Sequence, residues 1–147
     1  RRNTFIQRVL NKVDDKDEQK VLHKDIFFPA IKFWYFPDEV KEEYGPFNFV
    51  EADMVSEKML DFFYEQSNMI AIDAWDRNRD RSHPEGSMRI FDHEIEEMGY
   101  KRTSVAVKPN TLVIANVGNF HARGNVTKEW TRNSVHGSIR IDQPFRQ

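Results

Sequence analysis

Residues 131–141 alternate too regularly for any backbone but an extended one. Arg132, Ser134, His136, Ser138 and Arg140 fall on one side of a strand, and Asn133, Val135, Gly137, Ile139 and Ile141 on the other, because successive side chains of a strand point to opposite faces. The second face is mostly apolar and the first is built for polar contacts. Such a strand needs partners. Residues 110–117 hold the run Leu112, Val113, Ile114 and Ala115, which predicts a buried strand; Gly118 and Asn119 then break it and deliver His121 at its end. Residues 26–36 read as another strand, with Pro29 near its start and Pro37 at its stop, and residues 47–50 and 105–107 as shorter ones.

Two helices interrupt the strands. Residues 56–66 predict one capped by Ser56, with Met59, Leu60, Phe63 and Tyr64 as its apolar stripe. Residues 92–98 predict a second, capped by Asp92 and stopped at Gly99. The stretch 69–87 has strand-like content only over 69–75, and its length marks it as the expected place of substrate recognition. Residues 14–20 are acidic and polar, a loop or frayed helix. Strands flanking a helical insert give a mainly β fold: a double-stranded β-helix of jelly-roll, cupin-like type, with the insert as a lid.

Composition narrows the function. The chain has no cysteine, so any metal must use His, Asp or Glu, and its composition is compatible with the cytoplasm. A net charge of -2 gives no electrostatic reason to expect nucleic acid. Arg77, Arg79 and Arg81 are interleaved with Asp80 and preceded by Asp76, which reads as a solvated loop. No stretch approaches the ~18 apolar residues that a bilayer span requires, so no membrane partner is expected.

The chemistry concentrates at His23, Lys24 and Asp25. In an extended chain His23 and Asp25 project together and can grip one ion, and His121 arrives at the end of a strand as a third ligand. Two imidazoles and a carboxylate form the ligand set of a mononuclear non-haem iron(II) site with positions left open for a co-substrate and dioxygen. Arg132 forks two donors onto a carboxylate, and Ser134, on the same strand face, adds a third hydrogen bond; together they make a dicarboxylate anchor, with Arg140 as the first alternative. Of the remaining histidines, His93 reads as a solvated helix residue and His83 as a loop residue, while His136 shares the face of Arg132. Lys32 sits among aromatics and needs a partner if it points inward.

These segments, in this order, resemble the iron(II) and 2-oxoglutarate-dependent oxygenases, and within them the phytanoyl-CoA dioxygenase-like group. The resemblance runs from His23 to the C-terminus. It rests on His23-x-Asp25; on Lys32, Phe33, Trp34, Tyr35 and Phe36; on Tyr44, Gly45, Pro46 and Phe47; on Gly86, Ser87, Met88, Arg89 and Ile90; on Asn110, Thr111, Leu112 and Val113 leading to His121; and on Arg132-x-Ser134. It implies that His23, Asp25 and His121 bind Fe(2+), that Arg132 and Ser134 hold the far carboxylate of 2-oxoglutarate, and that dioxygen is the second co-substrate. The implied activity is hydroxylation of a small organic substrate, and the Asp25 carboxylate argues against a halogenase, which leaves that position to chloride. Relatives carry a much longer segment before the first histidine. The expectation is therefore a single domain over residues 1–147 that is N-terminally shortened, the C-terminal part of a longer family domain, with an exposed edge or apolar patch that supports a homodimer. Two other readings are a non-catalytic jelly-roll binding module with a vestigial metal site and a cupin-like metalloenzyme that works without 2-oxoglutarate. Arg132 separates them, since only the 2-oxoglutarate reading requires a buried cation near the metal.

Overall fold

The alternating segment forms β9 (Trp130–Arg140) in a computed structural model that describes residues 2–13, 17–25, 30–73 and 88–140. Strand β9 is an inner strand, paired on one side with β1 (Arg2–Asn11) and on the other with β3 (Ala30–Phe36). Beyond β3 lies β7 (Thr111–Asn116), which gives an antiparallel sheet of order β1-β9-β3-β7. A second antiparallel sheet is built from β2 (Leu22–Lys24), β4 (Phe47–Val50), β5 (Met88–Ile90), β6 (Arg102–Val105) and β8 (His121–Arg123), in the order β5-β2-β8-β4-β6. Helix α1 (Glu57–Asp73) follows β4, and the short α2 (Asp92–Glu97) follows β5. The fold is mainly β, a jelly roll of two sheets.

Period two decides what the five-stranded sheet buries. Leu22, Val50, Met88, Ile90 and Ala122 pack with Phe120, with Met59 and Phe62 of α1 and with Ile95 of α2. His23, Arg89, His121 and Arg123 alternate with them along the same strands and therefore face the other way. The larger apolar cluster is thus on the helix side of this sheet. A smaller one, Phe36, Val40, Tyr44 and Val107, is joined by Trp34 and Val113 from one sheet and Val105 from the other, and so lies between the sheets.

Several expectations need correction. The helical insert is minor, and within the described residues it backs the five-stranded sheet instead of forming a lid. In α1 the expected Met59 and Phe63 do pack on the core, joined by Phe62 and by buried Gln66, whereas Leu60 and Tyr64 are 50% and 71% exposed. Ser56 does not cap α1 with its side chain, because its Oγ donates to the Asp53 carbonyl (2.9 Å). The helix also runs to Asp73, so residues 69–73 are helical, not strand-like. In α2 the residue before the first turn is Phe91, whose N–H donates to the Glu94 carboxylate (2.8 Å), while Asp92 accepts from Arg102 Nε (2.9 Å). Gly99 does close it, at φ +88°.

Strand β7 was expected to be buried but is an edge strand, with Leu112 and Ile114 exposed and only Val113 and Ala115 turned inward. Ile6, Ile31 and Ile139 are exposed too, and the pairing register puts Ile31 and Ile139 on the outer face with Ile114. The expected strand over 26–36 is described from Ala30 onward. Residues 26–29, which include Pro29, and 74–87, with the three arginines, His83 and most of the expected recognition segment, lie outside the described residues. No helix among the described residues is long and apolar enough to cross a membrane.

The packing sorts neighbouring residues of α1 by cost. Met59→Ala empties a fully buried site and is expected to destabilise the protein by about 2–5 kcal/mol, whereas Leu60→Ala should change stability by less than about 0.5 kcal/mol. Urea unfolding followed by circular dichroism checks both; equal losses would mean that α1 docks through another face.

Candidate metal centre

His23 and His121 are direct partners across β2 and β8. Both turn away from the helices, and their rings meet with centroids 4.6 Å apart. The backbone sets each ring. Nδ1 of His23 lies 2.9 Å from the Val21 carbonyl, and Nδ1 of His121 lies 3.0 Å from the Asn119 carbonyl. A carbonyl accepts only, so these contacts assign the proton of each neutral ring to Nδ1 and leave both Nε2 lone pairs free for a ligand.

Asp25 lies one residue past β2, where its N–H donates to the Val117 carbonyl (3.3 Å). Its Oδ1 is 3.9 Å from His23 Nε2 and its Oδ2 is 3.9 Å from His121 Nε2. One donor atom from each of the three residues lies within 4.8 Å of the others. The spacing and the donor types suit one divalent ion with open positions.

Electrostatics favours the forms that bind metal. Burial, then the neighbouring His121, pushes His23 down to about 4, against the raising effect of the Val21 carbonyl and Asp25. Burial likewise lowers His121. Burial alone would raise Asp25, but the hydrogen bond and charge of Lys32 outweigh it and hold the carboxyl below its usual value. Lys32 Nζ is in ion-pair contact with Asp25 Oδ2. The inward lysine thus finds its partner on the candidate metal ligand itself.

Arg132 and Ser134 are both buried on the inner face of β9. Arg132 Nη1 donates to the Gly45 carbonyl (3.2 Å), and its guanidinium lies 5.9 Å from the Phe36 ring centroid. That carbonyl is available because of a glycine: Gly45 sits at φ +73°, and an added Cβ would come within 2.8 Å of Val126 Cγ2 and 2.9 Å of the Gly124 carbonyl oxygen. Arg132 Nε and Ser134 Oγ have no hydrogen-bond partner. Burial, then the charge of Arg123, pushes Arg132 down to about 10, still cationic at neutral pH. Trp34, Phe36, Phe47, His121, Arg123 and Arg132 surround a cavity of about 50 Å³. A larger cavity of about 280 Å³, also lined by His121, lies between Phe47, Phe49, Val105, Val113 and Phe120.

The structure therefore brings His23, Asp25 and His121 together and sets Arg132 on the wall of a cavity that His121 shares. His136 shares the β9 face of Arg132, near enough to Lys32 and Arg132 for their charges, after burial, to lower its pKa, and it stacks on Phe5 at 5.3 Å. His93 is exposed in α2, and the side chain of Arg140 is outside the described residues. Arg123 was missed by the sequence reading, although its place two residues after His121 assigns it to the same face.

No family model matches this sequence, and no curated protein matches it. Solved structures do share its fold. The chain aligns over 95% of its length with EvdMO1 (12% identity, TM-score 0.52), with AviO1 from Streptomyces viridochromogenes Tue57 (11%, 0.52) and with HygX from Streptomyces hygroscopicus solved with nickel and 2-oxoglutarate bound (13%, 0.50). It spans 28%, 52% and 55% of those chains respectively. At such identities the likeness establishes the jelly-roll fold alone.

The lowered histidine pKa values set a pH dependence. Below pH 6.5 an unfolded chain takes up a proton that native His23 refuses until about pH 4, so the unfolded state binds more protons and stability falls with pH through that window. The urea midpoint of the metal-free protein is expected to drop between pH 6.5 and 4, and His23→Gln should flatten part of the drop. A midpoint independent of pH in the wild type would mean that His23 is not held neutral.

Proposed function

We propose that this chain is the catalytic part of an iron(II)- and 2-oxoglutarate-dependent dioxygenase that hydroxylates a small organic substrate, of the phytanoyl-CoA dioxygenase-like kind. The observation that carries the reading is the convergence of His23, Asp25 and His121 beside a buried guanidinium, Arg132, with unused donors. Support comes from HygX, which shares the fold and holds nickel and 2-oxoglutarate.

In this reading His23 Nε2, His121 Nε2 and one Asp25 oxygen hold Fe(2+), and the remaining positions stay open to ligands that are not protein. The bound metal with 2-oxoglutarate and dioxygen supplies the oxidation, in which one oxygen atom goes to the substrate, the other to succinate, and carbon dioxide leaves. The protein's part is placement. Val21 and Asn119 fix the two rings through their carbonyls. Arg132, held by Gly45, and Ser134 take the far carboxylate through the donors that nothing else uses. Phe36, Phe47 and Trp34 keep that end dry, which strengthens the charge pairing. The cavity of about 280 Å³ beside His121 is the size of a small-molecule site and is walled mainly by apolar side chains. Lys32 leaves Asp25 ionised and ready to ligate.

Anaerobic titration with Fe(2+) and then 2-oxoglutarate is expected to give the weak visible charge-transfer band of the chelate. Arg132→Lys keeps the charge but loses the fork, so it should weaken 2-oxoglutarate binding about tenfold or more, with metal affinity unchanged. No metal binding by the wild type would sink the reading, and unaltered 2-oxoglutarate affinity in the variant would move the anchor elsewhere.

The same proposal includes a homodimer. Among the described residues strand β7 has an unpaired edge, and it carries exposed Leu112 and Ile114, the kind of strand that pairs with a second copy about a two-fold axis. Light scattering should show association as concentration rises, and its loss in Ile114→Lys; a monomer at every concentration excludes it.

A further inference from the structure

Arg123 is the group that the proposed function leaves without a task. Strand β8 carries it on the face of His121, while Ala122 between them packs into the apolar core. Its guanidinium is committed on one side only. Nη1 donates to Asp17 Oδ2 at 2.5 Å and lies 3.4 Å from Asn11 Oδ1, whereas Nε is buried with no partner. Arg123 and Arg132 line the same small cavity beside His121.

Two guanidiniums lining one cavity repel each other, and Asp17, paired with Arg123, supplies one carboxylate. The pocket is left with one positive charge in excess. Two of its lining residues have a buried donor with no partner among the described residues, Arg123 Nε and Arg132 Nε, and Ser134 Oγ, on the strand face of Arg132, is likewise buried and unpartnered. A neutral guest could accept from the donors but would leave the charge unmet. A carboxylate brings one negative charge and two oxygens able to accept several hydrogen bonds, which matches both.

We infer that Arg123 is a second guanidinium on the far carboxylate of the co-substrate, working beside Arg132 and held in place by Asp17. The inference rests on the 2-oxoglutarate reading and adds to it a specificity residue, Arg123, and a positioning residue, Asp17. Asp17 lies just ahead of the helical turn Glu18–Lys20, which is tied to the five-stranded sheet by Arg89 donating to the Glu18 carbonyl (2.5 Å) and Arg102 donating to the Lys20 carbonyl (3.2 Å). The carboxylate that aims Arg123 is therefore anchored independently of the ligand.

The test uses two 2-oxo acids that differ only at the far end. Protein loaded with Mn(2+) is titrated calorimetrically with 2-oxoglutarate and with 2-oxopentanoate, which lacks the second carboxylate. Arg123→Gln is expected to weaken 2-oxoglutarate about tenfold, to leave 2-oxopentanoate within twofold, and to leave the Mn(2+) affinity unchanged. Arg123→Lys, which keeps the charge and the ion pair to Asp17, should lose an intermediate factor, and it serves as the test if the Gln variant does not fold. Unchanged 2-oxoglutarate affinity in these variants would make Arg123 a structural strut and overturn the inference. An equal loss for both acids would overturn it too, since the damage would then be to the site at large. If the Mn(2+)-loaded wild type binds neither acid, the 2-oxoglutarate reading fails first and takes the inference with it.

Discussion

Register is the constraint on which everything else depends. His23 and His121 become neighbours because β2 and β8 pair with these two residues opposite each other. Next to them in the same row stand Arg89 and Phe49. A slip of one residue in β8 would turn His121 and Arg123 into the apolar core and bring Ala122 to the site. Leu22 and Ala122, buried on the helix side, make that slip expensive, so the hydrophobic pattern of one face fixes the chemistry of the other.

Charge is handled by pairing strand cations with carboxylates just outside the strands. Lys32 answers Asp25, Arg123 answers Asp17, and Arg89 reaches Glu18 through both its backbone and its carboxylate. Arg132 is different. It has the Gly45 carbonyl and an aromatic neighbour but no carboxylate of its own, and a buried cation without an anion is costly unless something else supplies one. The pocket is electrostatically unfinished at the point where an acidic guest would complete it.

The mainly β fold was legible in the sequence, and so was the placing of particular residues within it. Strict alternation exposed β9 and the shared face of Arg132 and Ser134, and the break at Gly118 and Asn119 located His121, because each is a local pattern with a local cause. Strand β1 gave no such signal. Phe5, Ile6, Val9 and Leu10 come in adjacent pairs four residues apart, a spacing closer to a helix than to a strand, since both faces of β1 carry apolar residues. In β7 the apolar run implied burial on both sides, but the run ends up at a sheet edge, and edge position is a property of topology that no window of sequence contains. The pairing of Lys32 with Asp25 and of Arg123 with Asp17 likewise joins residues that only the folded chain brings together.

The position of the main core has an evolutionary reading. In β2 and β8 the even-numbered residues, Leu22, Lys24 and Ala122, serve the helix side, and the odd-numbered ones, His23, His121 and Arg123, serve the inter-sheet space. A substitution at an odd position alters the space between the sheets, whereas one at an even position alters the packing against the helices. The two faces of these strands can therefore vary under separate constraints.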